Sequence, residues 1–422
     1  RTVWSSLINA RLHRSCNFFS TSAYLQFTEP PTIDNKHIQI KPVTKLRTKT
    51  TPEYIKPLNS KLHSLVWRAP LQNVLILKKP WTPAVRDNMV KFIEFIHDRY
   101  PELNVIVTKD AADEISQDFK SYAKKGSSNP HLLYTGEIQD IVNRADLVVT
   151  LGGDGTILRA ASLFSNTVVP PILSFSLGTL GFLLPFDFSH HQEVFKKVYE
   201  SRAKVLRRSR LECHVIRKDH HGGSENKEPG LKMVHAMNDI VLHRGATPSL
   251  TTLDIYIDGQ FLTRTTADGV VLSTPTGSTA YSLSTGGSIV HPLVPSILVS
   301  PICPRSLSFR PLIVPLTSHI KIKIISKQNG IENNVGLSID GIPQKQLQVD
   351  DEIHIVNEIG TIYLDENQVP YSKDRSKSGR EEAKAGVFCI AKGENDWTGQ
   401  INELLGFNSS FKNQGKKPDS DN

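Results

Sequence analysis

Leu147-Val148-Val149-Thr150-Leu151 runs directly into Gly152-Gly153-Asp154-Gly155-Thr156, and this junction decides the fold. The first five residues are short, apolar and β-branched, which predicts a buried parallel strand. Ile157, Leu158 and the Ala160-Ala161 pair then open a predicted helix. Ligands of open α/β sheets bind at the carboxyl ends of the strands, where glycine lets backbone N–H groups approach a phosphate. The helix N-terminus that follows favours an anion at the same place.

Asp154 stands in the middle of this expected anion site. A carboxylate repels phosphate unless it holds a metal ion or accepts a proton from an attacking hydroxyl. The alternative is a tight strand-to-helix turn in which the aspartate caps the helix. Neither the Gly-x-x-x-x-Gly-Lys-Ser/Thr pattern nor a Gly-x-Gly-x-x-Gly after a candidate strand occurs, so P-loop nucleotidases and standard dinucleotide-binding dehydrogenases are excluded by motif.

Composition limits the class of protein further. A chain of 422 residues, 38% hydrophobic and 22% charged, has room for about two globular domains plus tails. Its net charge of +8 suits anionic small molecules, but scattered Lys and Arg without a recognised module predict no nucleic-acid partner. No apolar run is long enough for stable membrane insertion. The four cysteines, Cys16, Cys213, Cys303 and Cys389, form no Cys-x-x-Cys, so neither a disulfide framework nor a protein metal site is predicted.

The first 28 residues contain three arginines, many hydroxyls and no acidic residue before Glu29. This composition is typical of a mitochondrial presequence; the alternative is a disordered basic tail. Residues 29–70 are polar and basic and are interpreted as a linker or arm.

Two domains are predicted after the arm. Residues 71–206 alternate strands and helices, which predicts an α/β domain with a parallel sheet and helices on both faces. Residues 207–390 contain short alternating segments between turn residues, which predicts an all-β, sandwich-like domain. Residues 391–408 are predicted to dock on a domain, and 409–422 to be a disordered tail. The predicted elements are strands at Asn73–Lys78, Asn104–Val107, Leu147–Leu151 and Pro171–Phe175, a helix at Pro83–Arg99, and β segments at Arg210–Val215, His235–His243, Leu253–Ile257, Val270–Ser273, His319–Ile325 and Glu352–Val356.

A second chemical signature lies in the β-rich half, where residues 274–288 carry nine hydroxyl side chains in fifteen residues. A flexible Gly/Ser linker is the alternative. However, apolar segments flank the stretch, and a buried hydroxyl-rich loop must satisfy its hydrogen bonds, for which a polar ligand is one means. Asp268 and the pair Asn238-Asp239 are further polar groups in apolar surroundings that are costly without a partner.

Together these segments resemble the NAD kinase family, and within it the mitochondrial NADH kinases of fungi. Gly152 to Thr156 is similar to the phosphate and catalysis motif of the family, and Thr265 to Gly269 with Thr274 to Ser288 is similar to its second motif. The Gly-Gly-Asp-Gly motif is shared with diacylglycerol and sphingosine kinases and, loosely, with phosphofructokinases, whereas the Thr-Pro-Thr-Gly-Ser-Thr-Ala-Tyr motif is not. The resemblance covers roughly residues 70 to 365, where it includes Asn238-Asp239 and Gly178-Thr179-Leu180-Gly181-Phe182, and it reaches the closing Asn402 to Asn408.

The resemblance implies ATP-dependent phosphorylation of the 2′-hydroxyl of the adenosine ribose of NADH and NAD⁺, with Mg²⁺ bridging ATP oxygens and NADPH as a product of the mitochondrial matrix. It implies that Asp154 is the catalytic base and that a homo-oligomer completes the site. The residues implied to bind phosphate are Gly152, Gly153, Gly155 and Thr156. Those implied to bind NAD(H) are Phe182, Asn238, Asp239, Asp268, Thr279, Ala280, Tyr281 and Ser284.

One position departs from the family pattern, because Asp239 replaces the usual glutamate and is one methylene shorter. Its ligand contact is therefore lost, water-mediated or adjusted to another redox state of nicotinamide. Two other functions stay open at this point. A lipid kinase would share Asp154 but leave residues 274–288 unexplained, and a non-catalytic NAD(H) sensor would bind the dinucleotide without turnover.

Overall fold

The computed structural model describes residues 34–35, 38–116, 131–165, 167–178, 181–217, 235–325, 335–358, 362–364, 370–372 and 385–406. The predicted presequence (1–28) and tail (409–422) lie outside the described residues. The elements up to residue 208 are β1 (Asp34–Asn35), β2 (Ile38–Pro42), β3 (Glu53–Ile55), β4 (His63–Val66), β5 (Asn73–Lys78), α1 (Pro83–Arg99), β6 (Asn104–Ile106), α2 (Lys109–Ser116), β7 (His131–Thr135), α3 (Ile138–Val142), β8 (Leu147–Gly152), α4 (Asp154–Leu163), β9 (Ile172–Ser176), β10 (Phe186–Asp187), α5 (His191–Tyr199) and β11 (Lys204–Arg208).

The second half of the chain is built mainly from strands. Its elements are β12 (Leu211–Ile216), β13 (His235–Ala236), β14 (Asp239–His243), β15 (Thr251–Ile257), β16 (Gln260–Ala267), β17 (Gly269–Ser273), a 3₁₀ turn (Thr276–Thr279), α6 (Tyr281–Ser284), β18 (Ser296–Ile302), β19 (Leu312–Pro315), β20 (Ile320–Ile324), β21 (Gly336–Ile339), β22 (Ile342–Pro343), β23 (Glu352–Asn357), β24 (Ile362–Leu364), β25 (Pro370–Ser372), β26 (Val387–Ala391) and α7 (Asp396–Leu405).

The first half forms a mixed sheet whose centre is parallel. Its order is β1-β2-β7-β6-β5-β8-β9-β26-β11-β4-β3, with β10 attached beside β9. The strands from β2 to β26 in this order run parallel, and β11, β4 and β3 continue antiparallel. Every residue of β5 and β8 is buried, as their continuous apolar runs predict.

Helices cover both faces of this sheet, because successive strand residues point to opposite sides. Val74 and Ile76 of β5 pack with helices α1 and α5, whereas Leu75 and Leu77 pack with α3 and α4. Helix α1 begins with proline in its first turn and buries one apolar face that includes Met89. The predicted α/β architecture is confirmed.

Residues 38–66 differ from the predicted linker or arm, since they add strands at both edges of the sheet. Strand β2 pairs in parallel with β7, and the β3–β4 hairpin joins β11. The buried carboxylate of Asp146 anchors this segment: it accepts hydrogen bonds from the backbone N–H groups of Thr50 (2.6 Å) and Asn73 (2.9 Å) and forms an ion pair with Arg47 at 2.9 Å. The basic and polar composition of this segment gave no clear strand signal in the sequence. Its strands are stabilised by pairing with strands that are distant in the chain.

The second half forms two six-stranded antiparallel sheets, ordered β13-β12-β23-β20-β15-β16 and β19-β18-β17-β14-β21-β22. Apolar residues of the two sheets share one core, in which Ile320, Ile322 and Ile324 of β20 lie with Ile240 and Leu242 of β14. The alternating lysines of β20 point away from this core. The predicted sandwich is therefore confirmed.

Two segments depart from the predicted division of the chain. The segment His235–His243, predicted as one strand, is divided between β13 in one sheet and β14 in the other. Strand β26 lies at the end of residues 207–390, which it exceeds by one residue, but pairs with β9 and β11 of the α/β sheet. Helix α7 then follows, with Ile401 buried and the Trp397 ring 4.7 Å from the His291 ring. Phe407, also in the segment predicted to dock, lies outside the described residues.

Cys213, Cys303 and Cys389 carry free thiols, and Cys16 lies outside the described residues. In the part of the chain that the structure describes, no helix combines the length and apolar character needed to cross a membrane.

Candidate active site

The glycines of the first motif meet different surroundings. Gly152 ends β8 with φ +150°, and a Cβ there would lie 2.6 Å from Oγ1 of Thr156. Glycine is therefore required at this position by the fold itself, and Thr156 is buried beneath the turn. A Cβ on Gly153 or Gly155 would meet no atom within 4 Å. Their lack of a side chain leaves open space above the turn, which suits a ligand that approaches the backbone.

Asp154 begins α4, but its side chain does not cap that helix. The carboxylate accepts hydrogen bonds from the backbone N–H groups of Phe182 and Leu183, both at 3.1 Å, and Gly153 occupies the N-cap position. The capping alternative is therefore wrong. Burial raises the pKa of Asp154, while the two N–H donors and the charge of Arg208 oppose that rise. A half-buried carboxylate with a raised pKa is suited to accept a proton.

Phe182 follows Gly181 in the second glycine-rich segment, of which Thr179 and Leu180 lie outside the described residues. Its backbone holds Asp154, and its ring is half-buried at a small recess that Arg208 and Trp397 also line. The predicted contact of Phe182 with adenine stays a prediction.

A cavity of about 600 Å³ lies beside α4 and brings most of the predicted dinucleotide residues together. Leu158 lines it, one helical turn after Asp154, so both side chains lie on the same face of α4. The predicted residues that line the cavity are Asn238, Asp239, Asp268, Ala280 and Tyr281. Thr279 and Ser284 stand in the adjoining turns rather than in the wall, with Ser284 exposed.

Asn238 and Asp239 lie where the chain crosses from one sheet of the sandwich to the other. The carboxylate of Asp340 accepts three consecutive backbone N–H groups there, from Met237 (2.8 Å), Asn238 (2.7 Å) and Asp239 (3.1 Å). The N–H of Asp340 returns a 2.9 Å bond to the carbonyl of Asp239. Asp340 therefore fixes the backbone of this crossing. In the sequence, Asp340 was recognisable only as the first residue of an Asp-Gly turn.

The crossing leaves two groups available to a ligand. Oδ1 of Asn238 is buried and has no hydrogen-bond partner among the described residues, which is costly in the free protein. Burial, followed by the neighbouring charge of Asp340, raises the pKa of Asp239 to about 7. Burial also raises the pKa of Asp340, against the three N–H groups that it accepts. The wall of the cavity thus contains two coupled carboxyl groups that resist ionisation.

Asp268 also lies in the cavity wall, and Arg244 binds it. Nε of Arg244 is 2.6 Å from Oδ1 of Asp268, and the Arg244 backbone N–H donates to the Asp268 carbonyl at 2.9 Å. Sequence reasoning missed Arg244, since a lone arginine after a strand carries no distinctive signal.

The hydroxyl-rich stretch is an ordered loop packed against Asn238, so the flexible-linker alternative is wrong. Oγ1 of Thr274 donates to the Met237 carbonyl at 2.6 Å, and the Thr274 N–H donates to the Asn238 carbonyl at 2.9 Å. Ser278 donates to the Pro275 carbonyl, and Ser282 bonds to Ser300 at 3.0 Å. These hydroxyls are satisfied within the protein, and the loop presents Ala280 and Tyr281 to the cavity.

Known proteins share the sequence of this chain over both halves of the fold. The chain matches the family described as ATP-NAD kinase, with its N-terminal domain over residues 74–203 and its C-terminal domain over residues 237–360. It is 58% identical to the mitochondrial NADH kinase POS5 of Saccharomyces cerevisiae over 392 residues, which cover 92% of this chain and 93% of that protein. It is 38% identical to the mitochondrial NADH kinase of Schizosaccharomyces pombe, with 84% and 80% covered.

A crystal structure of yeast NADH kinase complexed with NADH superposes with a TM-score of 0.76 at 58% identity, covering 90% of this chain and all of that chain. The fold and site define a kinase of nicotinamide dinucleotides, and the chain belongs to the NAD kinase family. The resemblance seen in the sequence is confirmed, and the lipid-kinase alternative is not supported.

Proposed function

We propose that this enzyme transfers the γ-phosphoryl group of ATP to the 2′-hydroxyl of the adenosine ribose of NADH, and also of NAD⁺. The observation that carries the proposal is the Asp154 carboxylate, held by two backbone N–H groups at the open glycine turn, one helical turn before Leu158 of the cavity wall. A ribose hydroxyl is a weak nucleophile, so a positioned proton acceptor is required.

In the proposed step, the carboxylate of Asp154 accepts the proton of the 2′-hydroxyl while the new O–P bond forms. The bond between the γ-phosphorus and the bridging oxygen breaks, and ADP leaves with that electron pair. The raised pKa of Asp154 supports this role, because it brings the proton affinity of the carboxylate closer to working pH. The backbone at Gly153 and Gly155 binds phosphate oxygens, as their open surroundings suggest.

The cavity is the proposed site of the dinucleotide. The unsatisfied Oδ1 of Asn238 accepts a hydrogen bond from the ligand, and Asp268, Ala280 and Tyr281 complete the wall. Asp239 is proposed to lie on the nicotinamide side. Its high proton affinity keeps it partly neutral near pH 7, which fits an uncharged nicotinamide ring better than a cationic one.

Mg²⁺ is proposed to arrive with ATP rather than to occupy a protein cage. Within the described ranges, no group of three or more His, Cys, Asp or Glu side chains could hold a metal ion. Mg²⁺ commonly binds substrate phosphates with few protein ligands, which fits an ion that the oxygens of ATP hold. When bound, the ion would neutralise charge on the ATP phosphates.

A homo-oligomer and a mitochondrial location complete the proposal. Tyr281 lines the cavity yet is 43% exposed, which supports completion of this wall by a second copy of the chain. The two named fungal relatives are mitochondrial, and the basic, acid-free residues 1–28 are typical of a matrix presequence. The enzyme would then supply NADPH within the matrix.

The decisive test is a steady-state assay with ATP and Mg²⁺, with NADH and NAD⁺ compared as acceptors. Formation of NADPH and ADP in equal amounts is expected, with NADH the better acceptor. Tight NADH binding without turnover would instead establish a sensor.

A further inference from the structure

Arg208 connects the two sequence motifs although it belongs to neither. It ends β11 and is only 7% exposed. Its Nη1 donates to Oγ1 of Thr276, in the hydroxyl-rich loop, at 3.3 Å. Its charge also acts on Asp154 of the glycine-rich motif. A cationic side chain therefore lies where the α/β sheet and the sandwich contribute to one site.

The charge of Arg208 is not neutralised by an ion pair within the described ranges. Its Nε is buried and makes no hydrogen bond there. The thiol of Cys389 lies against it, but burial raises the pKa of that thiol, so Cys389 is neutral and offers no counter-charge. The charge of Arg208 acts on Asp154 without an ion-pair contact between the two side chains. A buried cation that no anion contacts is unfavourable, and an anion bound during function supplies that contact.

Arg210, two residues along the chain, shows the contrasting structural arrangement. It is 2% exposed, forms an ion pair with Glu358 and donates to the carbonyl of Phe164 at 3.2 Å. Arg210 thus joins elements and has its charge satisfied. Arg208 is buried to nearly the same extent, but no carboxylate forms an ion pair with it within the described ranges.

The surroundings of Arg208 indicate which anion it meets. It lines a recess together with Lys61, His291, Phe182 and Leu183. The carboxylates of Glu394 and Asp396 line the recess too, but they accept hydrogen bonds from Ser60 and from the backbone N–H groups before α7. Phe182 and Leu183 are the residues whose N–H groups hold Asp154, so the recess and the catalytic carboxylate share a wall. The planar guanidinium fork matches phosphate oxygens, and phosphoryl transfer concentrates negative charge that a cation must stabilise.

We propose that Arg208 is a catalytic residue that contacts the phosphoryl group of ATP during its transfer to the ribose hydroxyl held at Asp154. This inference rests on the proposed kinase activity. The guanidinium donates hydrogen bonds to the phosphoryl oxygens and takes part in no proton transfer, so the balance of the reaction is unchanged. The competing role is structural: Arg208 would merely connect Thr276 and Cys389.

Three variants separate the two roles. Arg208→Gln removes the charge, Arg208→Lys keeps it without the fork, and Arg207→Gln removes the same charge one residue earlier, where the side chain points to the opposite side of β11. For each variant, kcat and the KM values for ATP and NADH are measured across pH, NADH binding is followed by its fluorescence, and thermal unfolding is recorded.

We expect Arg208→Gln to lower kcat by about 10²-fold or more, while the Kd for NADH stays within about threefold. The acidic limb of the rate profile should move to higher pH, because the positive charge of Arg208 lowers the pKa of Asp154. Arg208→Lys should keep that limb in place but raise the KM for ATP or lower kcat. Arg207→Gln should resemble the unchanged enzyme.

The inference is overturned if Arg208→Gln retains kcat and the acidic limb, or if its loss of rate only follows a loss of NADH binding and folding. Where Arg208→Gln does not fold, Arg208→Lys decides: unchanged kcat and KM for ATP would overturn the role. Absence of NADH phosphorylation by the unaltered enzyme would refute the proposed function instead, so the two failures are distinguishable.

Discussion

Gly181 leaves the space that the carboxylate of Asp154 occupies: a Cβ on Gly181 would lie 2.2 Å from Oδ1 of Asp154. The two residues are 27 positions apart in sequence, and the next two N–H groups after Gly181 bind the carboxylate. The position of the Asp154 carboxylate, the proposed proton acceptor, is therefore set by a close backbone approach rather than by its own helix.

Gly181→Ala should displace the carboxylate and lower kcat at least about tenfold, because a misplaced base loses its geometry with the hydroxyl. Gly399→Ala is the matched control, since a Cβ on Gly399 in α7 meets no atom within 4 Å. Steady-state kinetics of both variants check this expectation. Equal activity of the two would contradict the importance of the contact.

Asp154→Asn keeps the size of the side chain and removes its proton affinity. We expect kcat to fall by about 10²-fold or more, while the dinucleotide still binds in the cavity. Single-turnover rates and a fluorescence titration with NADH measure the two effects separately. Near-native kcat would eliminate Asp154 as the proton acceptor.

Tyr281→Ala should raise the KM for the dinucleotide more than it lowers kcat. The ring lines the cavity and is far from complete burial, so its removal takes away ligand contact and changes stability little. Initial rates over a range of NADH concentrations test this. A collapse of kcat at constant KM would show that the hydroxyl-rich loop takes part in the chemical step.

Asp239→Asn should stabilise the fold at alkaline pH. The pKa of Asp239 is about 7 in the folded protein, against 3.8 for an ordinary aspartate, so the folded state keeps this proton when the unfolded chain has lost it. The contribution to stability is complete below pH 3.8 and is lost as pH rises through about 7.

The free energy of unfolding of Asp239→Asn, relative to the unaltered protein, should therefore increase by on the order of 2 kcal/mol between pH 5 and pH 8. Denaturant unfolding at both pH values measures it. Asp87→Asn is the control, because it removes a carboxylate that is 45% exposed on α1. A difference that does not change with pH would show that Asp239 ionises normally.

Removal of residues 1–28 should leave activity in vitro unchanged and move the protein from mitochondria to the cytosol. The described fold begins after this segment, and three arginines without a carboxylate are typical of a presequence. Fluorescent fusions of the complete and shortened chains compare the two locations. The same distribution for both would leave residues 1–28 as a surface tail.

The sequence by itself determined the elements whose signal is local. A parallel sheet with helices on both faces was predicted from the apolar run of β8, its glycine turn and the spacing of apolar residues in α1. Burial of one or both faces of an element sets the period at which apolar residues recur along the chain. The motifs also indicated the family and five residues of the cavity wall, because glycine and hydroxyl patterns are continuous in sequence.

Tertiary structure alone decided which groups Asp154, Arg208 and Asp340 contact. Asp154 is held by a segment beyond β9, Arg208 meets a loop from the sandwich, and Asp340 binds a crossing about 100 residues earlier. Strands β2 to β4 joined the sheet in the same way, despite their polar composition. Hydrogen bonds and charges act over a few ångströms in space, so their partners follow from how distant segments fold together and leave no periodic mark in the sequence.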